Sequence, residues 1–152
     1  MEITGGFMDN KQMLTSIYQN CSTGMQSIND LVKKTKDKTF INLLSAQYSR
    51  YQEIAKKAKS LAKEEDITLK DNNWFEKARM WMSVQMSTLT NNSTRHLAEL
   101  MLIGTVMGTL TCYKTKTDQD KAKQPTKDLL AELEKLEEDN FNELKKYLNP
   151  EN

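Results

Sequence analysis

The side chains best suited to chemistry are those of His96, the single histidine of the 152-residue chain, and Glu99, three positions later. On a helix this spacing puts an imidazole and a carboxylate on one face, where they can share a divalent ion. Glu137 and Glu53 are the carboxylates that could complete such a metal site from other segments. A plainer reading competes with this one. If Ser93 caps a helix, His96 falls in its first turn, where the partial positive charge of the helix end disfavours protonation and leaves a neutral boundary histidine. No Ser-His-Asp or Cys-His grouping can be assembled around His96 by spacing, and no phosphate-cradling glycine loop occurs, so the pattern leans away from an enzyme. Met80, Met82, Met86, Met101 and Met107 offer thioethers that suit Cu(I). Met82 and Met86, however, share the stripe of Phe75 and Leu89, which is the periodicity of a packed core. Cys21 and Cys112 stand apart in apolar helical contexts and read as free buried thiols of a reducing cytoplasm.

The elements that must position these groups are helices. Five glycines and two prolines among abundant Lys, Glu, Leu, Ala, Met and Gln favour an all-α chain. Leu14, Ile17, Cys21, Met25, Ile28, Leu31 and Val32 recur at spacings of three and four between Lys11 and Thr35, one stripe of an amphipathic helix. After the tight link Thr35-Lys36-Asp37, Phe40, Leu43, Leu44, Gln47, Tyr51, Ile54, Ala58 and Leu61 form a second stripe, so the two helices lie antiparallel. Asp71-Asn72-Asn73 supplies capping residues for a third helix carrying Trp74, Phe75, Ala78, Trp81, Met82 and Met86. The run from Thr88 to Thr94 is poor in helix formers and predicts a break at Asn91 to Thr94. Without it a helix from Asn73 to Thr115 would extend about 65 Å, far beyond neighbours of about 35 to 40 Å. A fourth helix then covers about Ser93 to Thr115. A fifth starts near Pro125 and buries Leu129, Leu130, Leu133, Leu136, Phe141, Leu144 and Leu148.

Helices one, two, four and five match in length. A third helix of about 20 residues spans roughly 30 Å and can carry the chain back along the bundle, leaving helices two and four parallel. The expected fold is therefore an all-α, ferritin-like four-helix bundle with an additional crossover helix. The expected organisation is a flexible N-terminal tail at 1–10, a single helical-bundle domain at 11–148 and a C-terminal tail at 149–152.

The segments STRHLAELMLIGTVMG and EEDNFNELKKYL resemble a group of small, uncharacterised bacterial ferritin-like helical-bundle proteins that lack the usual di-iron ligands. The resemblance implies the fold and leaves the activity open, because ferritin-like proteins include oxidases, iron stores and proteins without metal. A di-iron centre of that type needs inward carboxylates from two helices and a Glu-x-x-His pair from each of the other two. This chain has one histidine, in the reversed order His-x-x-Glu, and no glutamate between Lys11 and Thr35. The matching positions elsewhere are Gln47-x-x-Arg50 and Glu137-x-x-Asn140. No cofactor is expected, with iron or manganese as the alternative in a degenerate metal-binding protein, an oxidase or metal carrier using His96 and Glu99.

Gly104 and Gly108 lie four apart and cost the helix about 1 kcal/mol each relative to alanine. Close approach offsets such a cost, either inside the bundle against Tyr48, Tyr51 or Trp81, or against a second copy in a homodimer. A cavity beside them would mark a binding protein for an apolar ligand. With 22 Lys and Arg against 21 Asp and Glu, no global charge draws the chain to nucleic acid. Lys33-Lys34-Thr35-Lys36-Asp37-Lys38 reads as a solvated helix end. The apolar run Leu97 to Tyr113 is shorter than the ~20 residues of a membrane span. MEITGGFMDN lacks the basic start and long apolar run of a secretory signal, which points to the cytoplasm. The reading favoured by these features is a non-enzymatic structural or protein-interaction module.

Overall fold

The computed structural model describes residues 9–70, 73–117 and 121–149. The expected N-terminal tail lies outside these residues up to position 8, and the C-terminal tail from position 150. Asp9 and Asn10, assigned to that tail, instead begin the first helix. The Asp9 carboxylate accepts from the Gln12 N–H at 2.8 Å, and the Gln12 side chain accepts from the Asp9 N–H at 3.0 Å. This reciprocal cap starts α1 (Asn10–Val32).

Asp37 caps α2 (Lys38–Glu64) through the Phe40 N–H at 3.1 Å. The same carboxylate accepts from the Thr94 hydroxyl at 2.9 Å, tying the start of the fourth helix to the start of the second. Its pKa is lowered, first by the Phe40 N–H and then by Thr94. At the far end of α2 the chain reverses through Asp66 at φ 55°, in the left-handed region, and the Ile67 N–H returns to the Ala62 carbonyl at 2.8 Å.

Helix α3 (Asn73–Ser87) has 15 residues, shorter than the expected 20. The Ser87 and Thr88 hydroxyls bond back to the Val84 carbonyl at 3.1 and 2.8 Å, which competes with a further turn. The predicted break follows. Asn91 accepts from the Ser93 N–H at 3.0 Å, and Asn92 donates to the Lys34 carbonyl at 3.2 Å. Helix α4 (Thr94–Thr117) then starts with Ser93 accepting from the His96 N–H at 3.2 Å. Ser93→Ala is expected to destabilise the fold by about 1 kcal/mol through loss of this cap. Thermal unfolding checks it, as a midpoint lower by roughly 2–4 °C.

Helix α5 (Gln124–Leu144) carries a proline in its first turn and runs into a 3₁₀ turn at Lys145–Leu148. Tyr147 of that turn packs on Phe40 with ring centres 5.1 Å apart.

Cross-helix contacts fix the directions. Ser16 meets Thr115 at 3.2 Å while Asn20 reaches the Gly108 carbonyl at 3.1 Å, so α1 and α4 run antiparallel. Arg50 pairs with Asp139 at 3.0 Å and Lys57 with Glu132 at 2.9 Å, so α2 and α5 do too. These half-exposed pairs record the register and add little stability. The core runs between the four helices through Leu14, Ile17, Phe40, Leu44, Leu97 and Leu133, each at most 1% exposed. Helix α3 lies outside this ring, against α1 and α4.

Two residues expected inside are not. Trp74 is 45% and Phe141 39% exposed. Helix α5 turns Glu137 and Asn140 inward instead, which carries Phe141 to the edge under Lys145. No helix among the described residues is long and apolar enough to cross a membrane.

Candidate functional site

The structure places the four candidate metal ligands in three separate environments. His96 Nδ1 lies 3.4 Å from Glu99 Oε1 on the outer face of α4, both side chains partly exposed. Glu53 is exposed on α2, beside Arg50, Asp128 and Lys135. Glu137 is 1% exposed, in the centre of the bundle. The predicted set is not assembled, because the face of α4 that carries His96 and Glu99 is opposite the one that meets α5.

Glu137 instead anchors a polar cluster to which every helix of the ring contributes. From α2, the Tyr51 hydroxyl donates to Glu137 Oε1. From α1, Asn20 Nδ2 donates to the Gly108 carbonyl of α4 at 3.1 Å and approaches Cys112 Sγ at 3.7 Å. Asn140, one turn from Glu137, is fully buried, and Gln47, one turn from Tyr51, is 1% exposed. The side-chain amides of Gln47 and Asn140 reach no hydrogen-bond geometry with any described group. The sequence placed Gln47, Glu137 and Asn140 at matching mid-helix positions, and all three point inward. Arg50 does not. It turns outward to Asp139.

Burial sets the electrostatics. Removal from water pushes the Glu137 carboxyl up to about 8, against a smaller opposing effect of the Tyr51 hydroxyl bonded to it. Burial likewise raises Tyr51, with the Glu137 charge next in importance. Cys21 and Cys112 are raised by burial first and Glu137 second, and both are free thiols. At neutral pH the cluster is thus a protonated acid, a phenol, two thiols and three amides.

That donor set does not fit the di-iron centre of a ferritin-like protein. Such ions need several ionised carboxylates and imidazoles, whereas the cluster brings one carboxyl, mainly protonated and bonded to Tyr51. Among the described residues no group of three His, Cys, Asp or Glu side chains could hold a metal.

The glycines explain how the carboxyl fits. A Cβ on Gly108 would fall well inside van der Waals contact of Glu137 Oε2, and 2.9 Å from Asn20 Oδ1. Gly108 therefore serves internal packing, against Glu137 and Asn20 rather than the expected aromatic rings. Gly24 of α1 is the glycine that meets a ring, since its Cβ would stand 2.7 Å from Tyr51. A Cβ on Gly104 would make only ordinary contact with Met82 Cε at 3.8 Å.

Between α1, α3 and α4 these glycines leave a cavity of about 30 Å³, walled by Trp74, Trp81 and Met82 and floored by Tyr51 and Glu137. It has room for a water or two. Protein-family models, curated proteins and solved structures yield no match to this chain.

The sequence carried a signal for the residues it did not single out. Asn20 sits between Ile17 and Cys21 on an apolar stripe, and Gly24 follows one turn later. A buried amide and a glycine on a core face mark a place where another helix brings a polar group close.

Proposed function

We propose that this chain is a non-enzymatic ferritin-like bundle, with α3 as the crossover helix, that works by association, first of all with a second copy of itself. The supporting observation is on the outer face of α4. Ile103, Val106, Leu110 and Tyr113 are 44, 41, 54 and 50% exposed and recur at spacings of three and four. That is the seam of a helix seeking a partner helix. A second α4 crossing antiparallel about a two-fold axis near Val106 sets Ile103 against Leu110. It also brings Glu99 near Lys114 of the other copy, whose ammonium would leave its own Trp74 ring, 5.9 Å away, to close the end of the apolar seam. Gly108 is occupied by Glu137, so this reading moves self-association from the glycine face to the opposite side of the helix.

The dimer is expected in sedimentation equilibrium of the unmodified protein, with Leu110→Lys giving a monomer of unchanged helicity. Glu99→Lys should weaken it about tenfold, and Lys114→Glu in the same chain should restore it. A monomeric wild-type chain at 100 µM, an order-of-magnitude ceiling for a working dimer at about −5 to −6 kcal/mol, would refute the reading. The metal-carrier alternative has for support only the His96 and Glu99 pair, two donors at 3.4 Å on an open surface.

A further inference from the structure

We propose that the cavity beneath α3 binds small protonated amines, with the Glu137 carboxylate as counter-ion and the rings of Trp74 and Trp81 as walls. This reading is independent of self-association and rests on the inner face of α4.

Three observations converge on it. The first is a pair of oxygens aimed at the same space. Tyr51 occupies Glu137 Oε1, and Oε2 and Asn20 Oδ1 both crowd the point where a Gly108 side chain would begin. The carboxyl fills the place of the missing Cβ, so Glu137 and Asn20 come together at the bare Cα of Gly108, and all three residues line the cavity. The second is the wall. The chain has two tryptophans, and both line this cavity. Indole faces attract cations through the ring quadrupole, and more strongly where water is thinned out; the Trp74 ring already carries the Lys114 ammonium at 5.9 Å, which leaves Trp81 as the principal cation face. The third is size. About 30 Å³ accommodates a methylammonium-sized head, and a longer alkyl chain can leave past Trp74, itself 45% exposed. An apolar ligand, the alternative for such a cavity, would leave the Glu137 carboxyl facing hydrocarbon.

Binding has a proton balance. The amine arrives as R–NH₃⁺ and keeps its protons, one N–H donating to Glu137 Oε2. Glu137 passes from carboxylic acid to carboxylate and its proton leaves to solvent. The other titratable groups facing Glu137 are Cys21 from α1, Tyr51 from α2 and Cys112 from α4, all held neutral by burial. Helix α3 presents only Trp74, Phe75, Ala78, Trp81 and Met82 to the cavity. Glu137 is thus the group that titrates with binding between pH 6 and 8.

Methylammonium chloride titrated against tryptophan fluorescence, with sodium chloride at equal ionic strength as control, tests this. A saturable change is expected, with affinity roughly 50-fold weaker at pH 6 than at pH 8, as competition with a proton of pKa about 8 requires. Calorimetry in two buffers of different ionisation enthalpy should show close to one proton released per amine at pH 7. Glu137→Gln, shown folded by circular dichroism, should bind at least tenfold more weakly at pH 8. No saturable response, an affinity equal at pH 6 and pH 8, or undiminished binding by the folded variant would each overturn the proposal. The first two readouts use the wild-type chain and stand even where the variant does not fold.

Discussion

Glutamine in place of Glu137 is expected to make the protein more stable at pH 8 by several kcal/mol while changing little at pH 5. The sign follows from which state holds the proton. In the unfolded chain the carboxyl has lost its proton above its ordinary value of 4.5, while in the folded chain it keeps the proton until about pH 8. Between those values the native state binds one more proton, so stability falls by about 1.4 kcal/mol per pH unit and levels off above pH 8. Over the whole interval that is on the order of 4–5 kcal/mol. Glutamine keeps the shape and an acceptor for the Tyr51 hydroxyl but has nothing to ionise. Urea unfolding of both chains at pH 5, 6, 7 and 8 isolates the effect, because the other titrations, Asp37 and Asp139 among them, cancel in the difference. The wild-type curve should fall away from the variant's across this range. Parallel curves would show that Glu137 is ionised in the folded chain at neutral pH.

The helices and their junctions were legible in the sequence because each depends on local chemistry. Leu14, Ile17, Cys21, Ile28 and Leu31 declare a buried face through spacing alone, and all five are at most 2% exposed. The break before α4 was legible because Asn91 and Ser93 compete locally for backbone N–H groups, as their bonds in the structure show. The polar cluster was only half visible. Gln47, Glu137 and Asn140 could be matched by their position along the helices, yet the meeting of Glu137 with Tyr51, 86 positions apart, depends on how two helices are rotated and shifted against each other. Periodicity within one helix says nothing about that shift. Arg50 shows the limit. A rotation of 100° per residue carries it from the inward turn of Gln47 and Tyr51 out to Asp139. His96 drew attention by residue type, although its backbone N–H serves as the capped donor and its ring remains at the surface. The buried site is made of commoner residues whose chemistry depends on loss of water.

The two glycines of α4, equivalent by spacing, should respond in opposite ways to alanine. Gly104→Ala is expected to be neutral or to stabilise by up to about 1 kcal/mol, because helix propensity improves and the new methyl meets only the flexible end of Met82 at 3.8 Å. Gly108→Ala gains the same propensity but drives its methyl into Glu137 Oε2. The Glu137 head cannot yield freely, since Tyr51 holds Oε1 and Asn20 Oδ1 would lie 2.9 Å from the methyl on the other side. Displacing the carboxyl into the cavity breaks the Tyr51 bond and leaves a buried hydroxyl unpaired, at about 1–3 kcal/mol. Residual overpacking adds about 1–3 kcal/mol. The net loss should be about 2–4 kcal/mol after the propensity gain, a fall of roughly 5–10 °C in melting midpoint. A cycle with Glu137→Ala separates this contact from any general intolerance of α4. Once the carboxyl is gone, Gly108→Ala should cost less than about 1 kcal/mol, a coupling of the size seen between side chains in direct contact. If Gly108→Ala were as harmless as Gly104→Ala, the carboxyl would have to move without cost. Equal losses with and without Glu137 would place the obstruction in the backbone of a neighbouring helix.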